Sequence, residues 1–166
     1  MADPKVTWRT SDNLSDLKQL AGGEDKVAWN LGTVQSNTES APFRCLIWNN
    51  YGDANNDVSD MNDCVITTVD TNGGSNSPVV TGKWIYVKVI SNSEVNYSRI
   101  GGNGINDGRM IKASGQPSGV ISGARNNGDK AASTANFADV ELKAVLGLNV
   151  QAGTHLFNLR VSYTFT

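Results

Sequence analysis

The sequence contains few of the side chains on which catalytic and metal sites are usually built. Its 166 residues include one histidine, His155, and two cysteines, Cys45 and Cys64. One imidazole and two thiols do not make a zinc site of ordinary spacing, and no Gly-x-Ser-x-Gly segment marks a nucleophilic serine. We therefore predict a protein that is not an enzyme and has no catalytic residue. His155 is expected to face solvent at the start of the last strand.

An excess of charge of one sign and long apolar runs are lacking as well. Lys and Arg number 14, Asp and Glu number 16, and the net charge is -2. Because binding to phosphate backbones or anionic lipid usually needs an excess of basic residues, we expect no nucleic acid and no membrane as partners. No apolar run reaches the ~20 residues of a transmembrane helix, and the first residues do not resemble a signal peptide. These features favour synthesis in a cytoplasm, although a secreted chain without its leader would look the same.

Glycine and asparagine are abundant instead, with 17 and 19 residues. Both types tolerate positive φ and are typical of turns, whereas charged residues make up only 18% of the chain. This composition predicts many short strands joined by turns. The length suits a single domain that covers residues 1–166.

Apolar residues at alternate positions predict the strands. The alternation is clearest at residues 157–165 and 138–146, which we expect to lie antiparallel in one sheet or across two. Shorter apolar runs lie at residues 5–8, 27–34, 43–48, 64–69, 84–90, 109–113 and 119–122. The predicted fold is an all-β, single-domain, immunoglobulin-like or jelly-roll β-sandwich of about seven to nine strands.

One segment has helical spacing. Leu14, Leu17 and Leu20 recur at every third position within residues 12–21, and two glycines follow the segment. We therefore predict at most one short helix, at this place.

Three long polar segments lie between the strands, at residues 49–63, 70–81 and 101–136. Loops of this length are usually functional or disordered. The first segment carries oxygen-bearing side chains at alternate positions, as a calcium loop does, namely Asp53, Asn55, Asp57 and Asp60. However, valine replaces the expected glycine at the sixth position, and cysteine replaces the expected glutamate at the twelfth. The alternatives are a weak calcium site and, favoured here, a solvated turn without a cofactor.

Trp48 stands at the entrance of the first polar segment, and Asn49, Asn50 and Tyr51 follow it. We predict these four residues as a contact surface. The other tryptophans fall in predicted strands and are expected mainly in the core. Aromatic rings that stay exposed can stack on sugar rings, so carbohydrate binding remains an alternative.

The two cysteines fall in two of the predicted strands. A disulfide between them would close a loop and stabilise the fold by about 3 kcal/mol. In a reducing cytoplasm both would instead be small buried apolar side chains. The missing leader favours free thiols, and pairing stays open.

Several short segments resemble parts of known proteins. Residues 31–34 (Leu-Gly-Thr-Val), 39–42 (Glu-Ser-Ala-Pro) and 46–50 (Leu-Ile-Trp-Asn-Asn) resemble the opening of immunoglobulin-like sandwiches. Residues 57–68, 82–85 and 159–163 are similar to pieces of small structural proteins of tailed phages and prophages of Gram-positive bacteria. Those proteins decorate capsids or build tails, so the resemblance implies a virion protein without a catalytic residue.

The sequence thus predicts a non-enzymatic virion structural protein of a tailed bacteriophage, either a capsid-decoration or a tail component. It would be made in the host cytoplasm and would contact other virion subunits as a homo-oligomer or within a lattice. The alternative is a carbohydrate-binding or adhesive surface module, with or without calcium.

Overall fold

The computed structural model describes residues 1–17, 26–103 and 107–166. Its strands within these ranges are β1 (Val6–Thr10), β2 (Lys26–Ala28), β3 (Phe43–Asn49), β4 (Asn62–Val69), β5 (Ile85–Val89), β6 (Ser98–Ile100), β7 (Arg109–Met110), β8 (Phe137–Ala144) and β9 (Asn158–Thr164). A short helix, α1 (Pro78–Thr81), lies between β4 and β5, and 3₁₀ turns lie at Ile90–Asn92 and Thr134–Asn136. No helix in these ranges is long and apolar enough to cross a membrane.

The strands form two sheets, with the orders β1-β3-β8-β5-β6 and β2-β9-β4-β7. The pairings between neighbouring strands are antiparallel. The prediction of an all-β fold is therefore confirmed. The sequence allowed β8 and β9 to lie in one sheet or in two, and the structure places them in different sheets. That residues 1–166 form one domain stays a prediction.

One buried apolar cluster joins side chains from both sheets and is the main core. β8 contributes every second residue from Ala138 to Ala144, and β9 contributes Leu159 and Val161. Successive side chains of a strand point to opposite faces, so the alternation in the sequence selects which residues enter the core. Complete burial of one large apolar side chain contributes about 1.5–3 kcal/mol before the loss of chain entropy is subtracted.

The helix predicted at residues 12–21 is absent from the part of it that the structure describes. Leu14 has a φ of 60°, and the chain around it forms turns instead of a helix. The Thr10 hydroxyl accepts a hydrogen bond from Ser15 N at 3.0 Å, and such bonds to nearby backbone compete with a helix. The final part of the prediction, from residue 18, lies outside the described residues.

Two other predicted strands differ from the structure. The run at residues 27–34 is a strand only over β2, because Gly32 has a φ of 65° and donates its N–H to the Asn30 side chain in a turn. The run at residues 119–122 forms only an isolated bridge, between Ile121 and Met61. β6 and α1 were not predicted.

Candidate functional site

The predicted contact surface begins at Trp48, which the structure buries completely. Its ring lies 4.6 Å from the ring of Phe137 and 4.9 Å from that of Tyr51, between centroids. With Leu46 they form a second apolar cluster, on the face of the five-stranded sheet that points away from the main core. Trp48 therefore has no surface to offer a partner, and its assignment to the contact surface is wrong. Tyr51 stays half-exposed, with the Arg9 guanidinium 3.5 Å from its ring centroid.

Asn49 and Asn50 are also fully buried. Asn49 Nδ2 donates to Ser59 O at 2.9 Å, and Asn50 Nδ2 donates to Asn56 O at 2.7 Å and to Gly123 O at 3.1 Å. Asn50 has a φ of 61°, which asparagine tolerates better than most residues do. Both side chains are internal cross-links between loops, so their assignment to the contact surface is corrected as well.

Two of the predicted calcium ligands bond the backbone of a distant loop. Asp57 Oδ1 accepts a hydrogen bond from Arg125 N, and Asp60 Oδ1 accepts one from Gly123 N, each at 2.7 Å. A carboxylate that accepts a backbone N–H holds the two chain segments in register. Asp57 and Asp60 thus fasten residues 123–125 to the first polar segment.

Asp53 organises the first polar segment itself. Its Oδ1 accepts the backbone N–H groups of Asn55 at 3.1 Å and Asn56 at 3.0 Å, and its Oδ2 pairs with Lys5 Nζ at 3.0 Å. The Lys5 ammonium, aided by the backbone N–H groups, holds the pKa of Asp53 well below its ordinary value. Across the described residues, no group of three or more His, Cys, Asp or Glu side chains could hold a metal ion. These contacts lend no support to the weak calcium site.

Asn126 completes the connection between the two segments. Its Nδ2 donates to Asn50 O at 2.8 Å, and its Oδ1 accepts from Gly52 N at 3.1 Å. Its own N–H donates to Asp53 O at 2.9 Å. We call residues 49–61 and 121–129 the amide-tied loops, because amide and carboxylate side chains join them at several points.

The other end of β3 and β8 carries a different pair of loops. Phe43 faces Leu142 there, whereas Trp48 faces Phe137 beside the amide-tied loops. We call residues 29–42 and 145–157 the open loops. They meet through backbone hydrogen bonds, of which one runs from Asn37 N to Gly147 O and another from Leu146 N to Thr38 O.

The second open loop exposes two large apolar side chains. Leu148 is 75% exposed and Leu156 is 67% exposed. Removing apolar side chains from water is favourable in free energy. Exposed apolar side chains that lie in the same loop are therefore candidates for contact with another molecule. The sequence prediction missed them. The available signal was their position, because Leu148 and Leu156 fall outside the two alternating runs on either side and so are not assigned to a core face.

His155 lies in the same loop and is partly exposed, so it faces solvent with only part of its surface. Its Nε2 is 3.0 Å from Gln151 O, and its ring meets the Trp84 ring edge-on at 5.0 Å between centroids. Trp84 and Trp29 are half-buried, whereas the other two tryptophans are completely buried. The only tryptophan surface that the described residues present therefore lies at the open loops, on Trp29 within the first loop and on Trp84 beside His155 of the second.

Cys45 and Cys64 are free thiols, which confirms the favoured alternative. Both lie in the main core. Burial raises the pKa of the Cys45 thiol strongly and that of the Cys64 thiol to about 12. Because the thiolate is the reactive form, both side chains act as apolar core residues at neutral pH.

A strip of paired charges lies on the outer face of the five-stranded sheet. Lys88 Nζ is 2.7 Å from Glu141 Oε1, and the Tyr97 hydroxyl donates to the same carboxylate. The hydrogen bond from Lys88, followed by that from Tyr97, lowers the pKa of Glu141. The ammonium groups of Lys88 and Lys143 lie 4.7 and 4.6 Å from the Tyr97 ring centroid. These contacts occupy Tyr97, so its ring is not a free platform for a sugar.

A cavity of about 430 Å³ opens beside this strip. Phe137 and Asp139 of β8 form one wall, together with the 3₁₀ turn that contains Ile90 and Ser91. The remaining lining residues are Ser114, Lys130, Ala131 and Thr134. Sequence reasoning missed this site because the fold assembles it from four separate stretches, and no local motif marks any of them.

No family model, curated protein or solved structure matches the chain. The function must therefore be inferred from the strand order, the two pairs of loops and the resemblance in the sequence.

Proposed function

We propose that the two sheets form a β-sandwich of the jelly-roll type. The supporting observation is a nested set of antiparallel pairs, in which β2 pairs with β9, β3 with β8, β4 with β7 and β5 with β6. One long hairpin that rolls onto itself has this order, and the contacts β4–β9 and β5–β8 then complete the two sheets. Immunoglobulin-like sandwiches divide their strands differently, into sheets ABED and CFG.

We propose further that the protein is a non-enzymatic structural subunit of a virion. Jelly rolls are common in viral capsid proteins, although the fold alone is only an analogy for function. The sequence resemblance adds the more specific proposal of a capsid-decoration or tail component of a tailed bacteriophage. The nested strand order is the observation that carries this proposal.

The contact with other subunits is assigned to the open loops. Leu148 and Leu156 are the large apolar side chains exposed there, and we take the occupant to be a neighbouring copy of the same chain. The amide-tied loops suit this role less well, because their side chains already bond the backbone of the same two loops. The open loops therefore replace residues 48–51 as the proposed contact surface.

Sedimentation of particles from a culture that makes the protein tests the virion role. An antibody raised against the purified protein should detect it in the particle fraction, and gold-labelled antibody should mark the particles in electron micrographs. Detection only in the particle-free supernatant would contradict the proposal.

A double variant tests the contact surface. We expect Leu148→Ser with Leu156→Ser to abolish concentration-dependent self-association in sedimentation velocity runs. The matched control is Val95→Ser, which removes an apolar side chain that is 82% exposed but lies outside the open loops. Equal association of the wild type and the double variant would place the contact elsewhere.

A carbohydrate-binding or adhesive module is the second candidate. The half-buried Trp29 and Trp84 favour it, because Trp29 lies in one open loop and Trp84 contacts His155 of the other. Lectin domains also include jelly rolls. A glycan array probed in calcium and again in chelator separates the outcomes, since binding lost in chelator indicates a calcium-assisted site and an empty array in both conditions removes this candidate.

A further inference from the structure

The cavity on the outer face of the five-stranded sheet has the size of a small-molecule site. Its volume of about 430 Å³ lies in the usual range of ligand pockets, about 300–1,000 Å³. Ile90, Ala131 and Phe137 supply apolar walls. An aromatic or aliphatic body could therefore leave water by entering it.

The charges on the cavity wall do not cancel. The residue Asp139 is 7% exposed, and its carboxylate accepts two hydrogen bonds from Arg44, from Nε at 2.8 Å and from Nη2 at 2.6 Å. Its negative charge is thus balanced within the protein. Lys130 Nζ instead donates to the carbonyl and hydroxyl oxygens of Ser11, at 2.7 and 3.2 Å. Both partners are neutral. The Asp12 carboxylate interacts with Lys130 but does not line the cavity, so Lys130 is the charged group of the wall that has no ion-pair partner within the cavity.

Two hydroxyl groups on the wall remain available to a ligand. Ser114 and Thr134 are exposed residues of the cavity lining, and within the described residues their side-chain oxygens make no hydrogen bond to another protein group. The Ser91 hydroxyl is different, because it donates to Lys112 O at 2.6 Å and accepts from Asp139 N at 3.0 Å. Ser114 and Thr134 can therefore donate to an anionic oxygen close to Lys130.

We propose that this cavity binds a small organic anion with an apolar, ring-containing body. The apolar walls receive the ring, and Lys130 with the hydroxyls of Ser114 and Thr134 receives the anionic group. This inference goes beyond the proposed structural role and does not depend on it.

A pair of fluorescent probes tests both parts of the proposal. Anilinonaphthalene sulfonate combines an aromatic body with one negative charge, and phenylnaphthylamine has the same rings without the sulfonate. Titrated into the folded protein, the sulfonate should bind at one site and about tenfold more tightly than the neutral probe, because a charge-assisted hydrogen bond is worth about that factor. Equal affinities for the two probes would overturn the role of Lys130.

Three variants locate the binding site. Lys130→Met should remove the preference for the sulfonate, and Ala131→Trp should fill the cavity and abolish binding of both probes. Lys83→Met is the matched control, because it removes one ammonium group, paired with Asp107, that does not line the cavity. Unchanged binding to Ala131→Trp would overturn the proposal.

Two further measurements keep these results interpretable. A thermal melt of each variant shows whether it is folded, and if Lys130→Met does not fold, Ala131→Trp still decides the location of the site. The Leu148→Ser, Leu156→Ser variant should bind both probes as the wild type does. Loss of binding in that variant alone would place the probe on the open loops and overturn the proposal.

Discussion

The amide-tied loops and the open loops lie at opposite ends of β3 and β8, yet their polar residues have different roles. In the amide-tied loops, Asn50, Asp57 and Asn126 bond the backbone of the neighbouring loop. In the open loops, backbone hydrogen bonds and a ring contact between Trp29 and Phe157 join the two segments, and two leucines, Leu148 and Leu156, stay exposed. A loop rich in Asn and Asp can thus be part of the structural framework, whereas a loop with fewer such residues can expose apolar side chains to a partner.

The largest effect on stability is expected from a pair of glycine substitutions, one in each kind of loop. A Cβ at Gly123 would collide with the carbonyl groups of Val58 and Ser59, whereas a Cβ at Gly147 meets nothing within 4 Å. We expect Gly123→Ala to lower the free energy of unfolding by about 4 kcal/mol and Gly147→Ala to change it by less than about 0.5 kcal/mol. Urea denaturation measures both. Similar changes in the free energy of unfolding for the two variants would contradict the distinction between the amide-tied loops and the open loops.

A pair of asparagine substitutions has the next largest expected effect. Asn50→Ala leaves the carbonyl group of Asn56 without its side-chain donor and removes one of two donors to Gly123 O, which keeps the bond from Val58 N. It also puts alanine at a positive φ. We expect a loss of about 2–3 kcal/mol. Asn149→Ala, at an exposed position of an open loop, should cost less than about 0.5 kcal/mol. Denaturation of the two variants side by side checks the contrast, and a costly Asn149→Ala would break it.

The pH dependence gives a smaller effect. Because the folded-state pKa of Asp53 is lowered, chiefly by Lys5, its ionised form adds stability above the unfolded-state pKa, and this stability is lost as the pH falls. A carboxyl-carbon NMR titration should give a midpoint for Asp53 below 3.8. Lys5→Ala should raise that midpoint, and Lys143→Ala, which removes the partner of Glu39 in an open loop, should not. An unmoved midpoint in Lys5→Ala would show that the ion pair does not form in solution.

The smallest expected effect is on the stability of the open-loop variant. Leu148 and Leu156 are mostly exposed, so replacing both by serine should change the free energy of unfolding by less than about 1 kcal/mol in total. Urea denaturation of dilute protein, where copies do not associate, measures this value. A loss of several kcal/mol would mean that these leucines stabilise the chain itself, and the contrast with the amide-tied loops would weaken.

The long strands could be predicted from the sequence because their alternation is a local property. β8 and β9 were predicted almost to their ends, since Val140 and Leu159 each stand in a run that repeats every two residues. β6 was missed and β7 was predicted too long, because two or three residues do not establish a period. The predicted helix failed because side chains near Leu14 bond local backbone, a competition that spacing does not reveal.

The candidate sites were harder to predict because they depend on contacts between distant residues. Trp48 looked exposed at the start of a polar segment, but Phe137 comes opposite it only when β3 pairs with β8. The aspartates looked like calcium ligands because their true partners, such as Arg125 N, lie in a remote loop. For the same reason, the cavity between Ile90 and Lys130 has no signature in any single stretch of sequence.

The nested order of the strands also sets the timing of folding. β5 and β6 are neighbours in the chain, but Val27 of β2 must wait for Leu159 of β9 before it can pair. Closing such long loops is costly in entropy and slow, so folds dominated by distant pairs typically form in milliseconds to seconds. On a ribosome, β2 emerges long before its partner, and its pairing edge stays unprotected until β9 has been made.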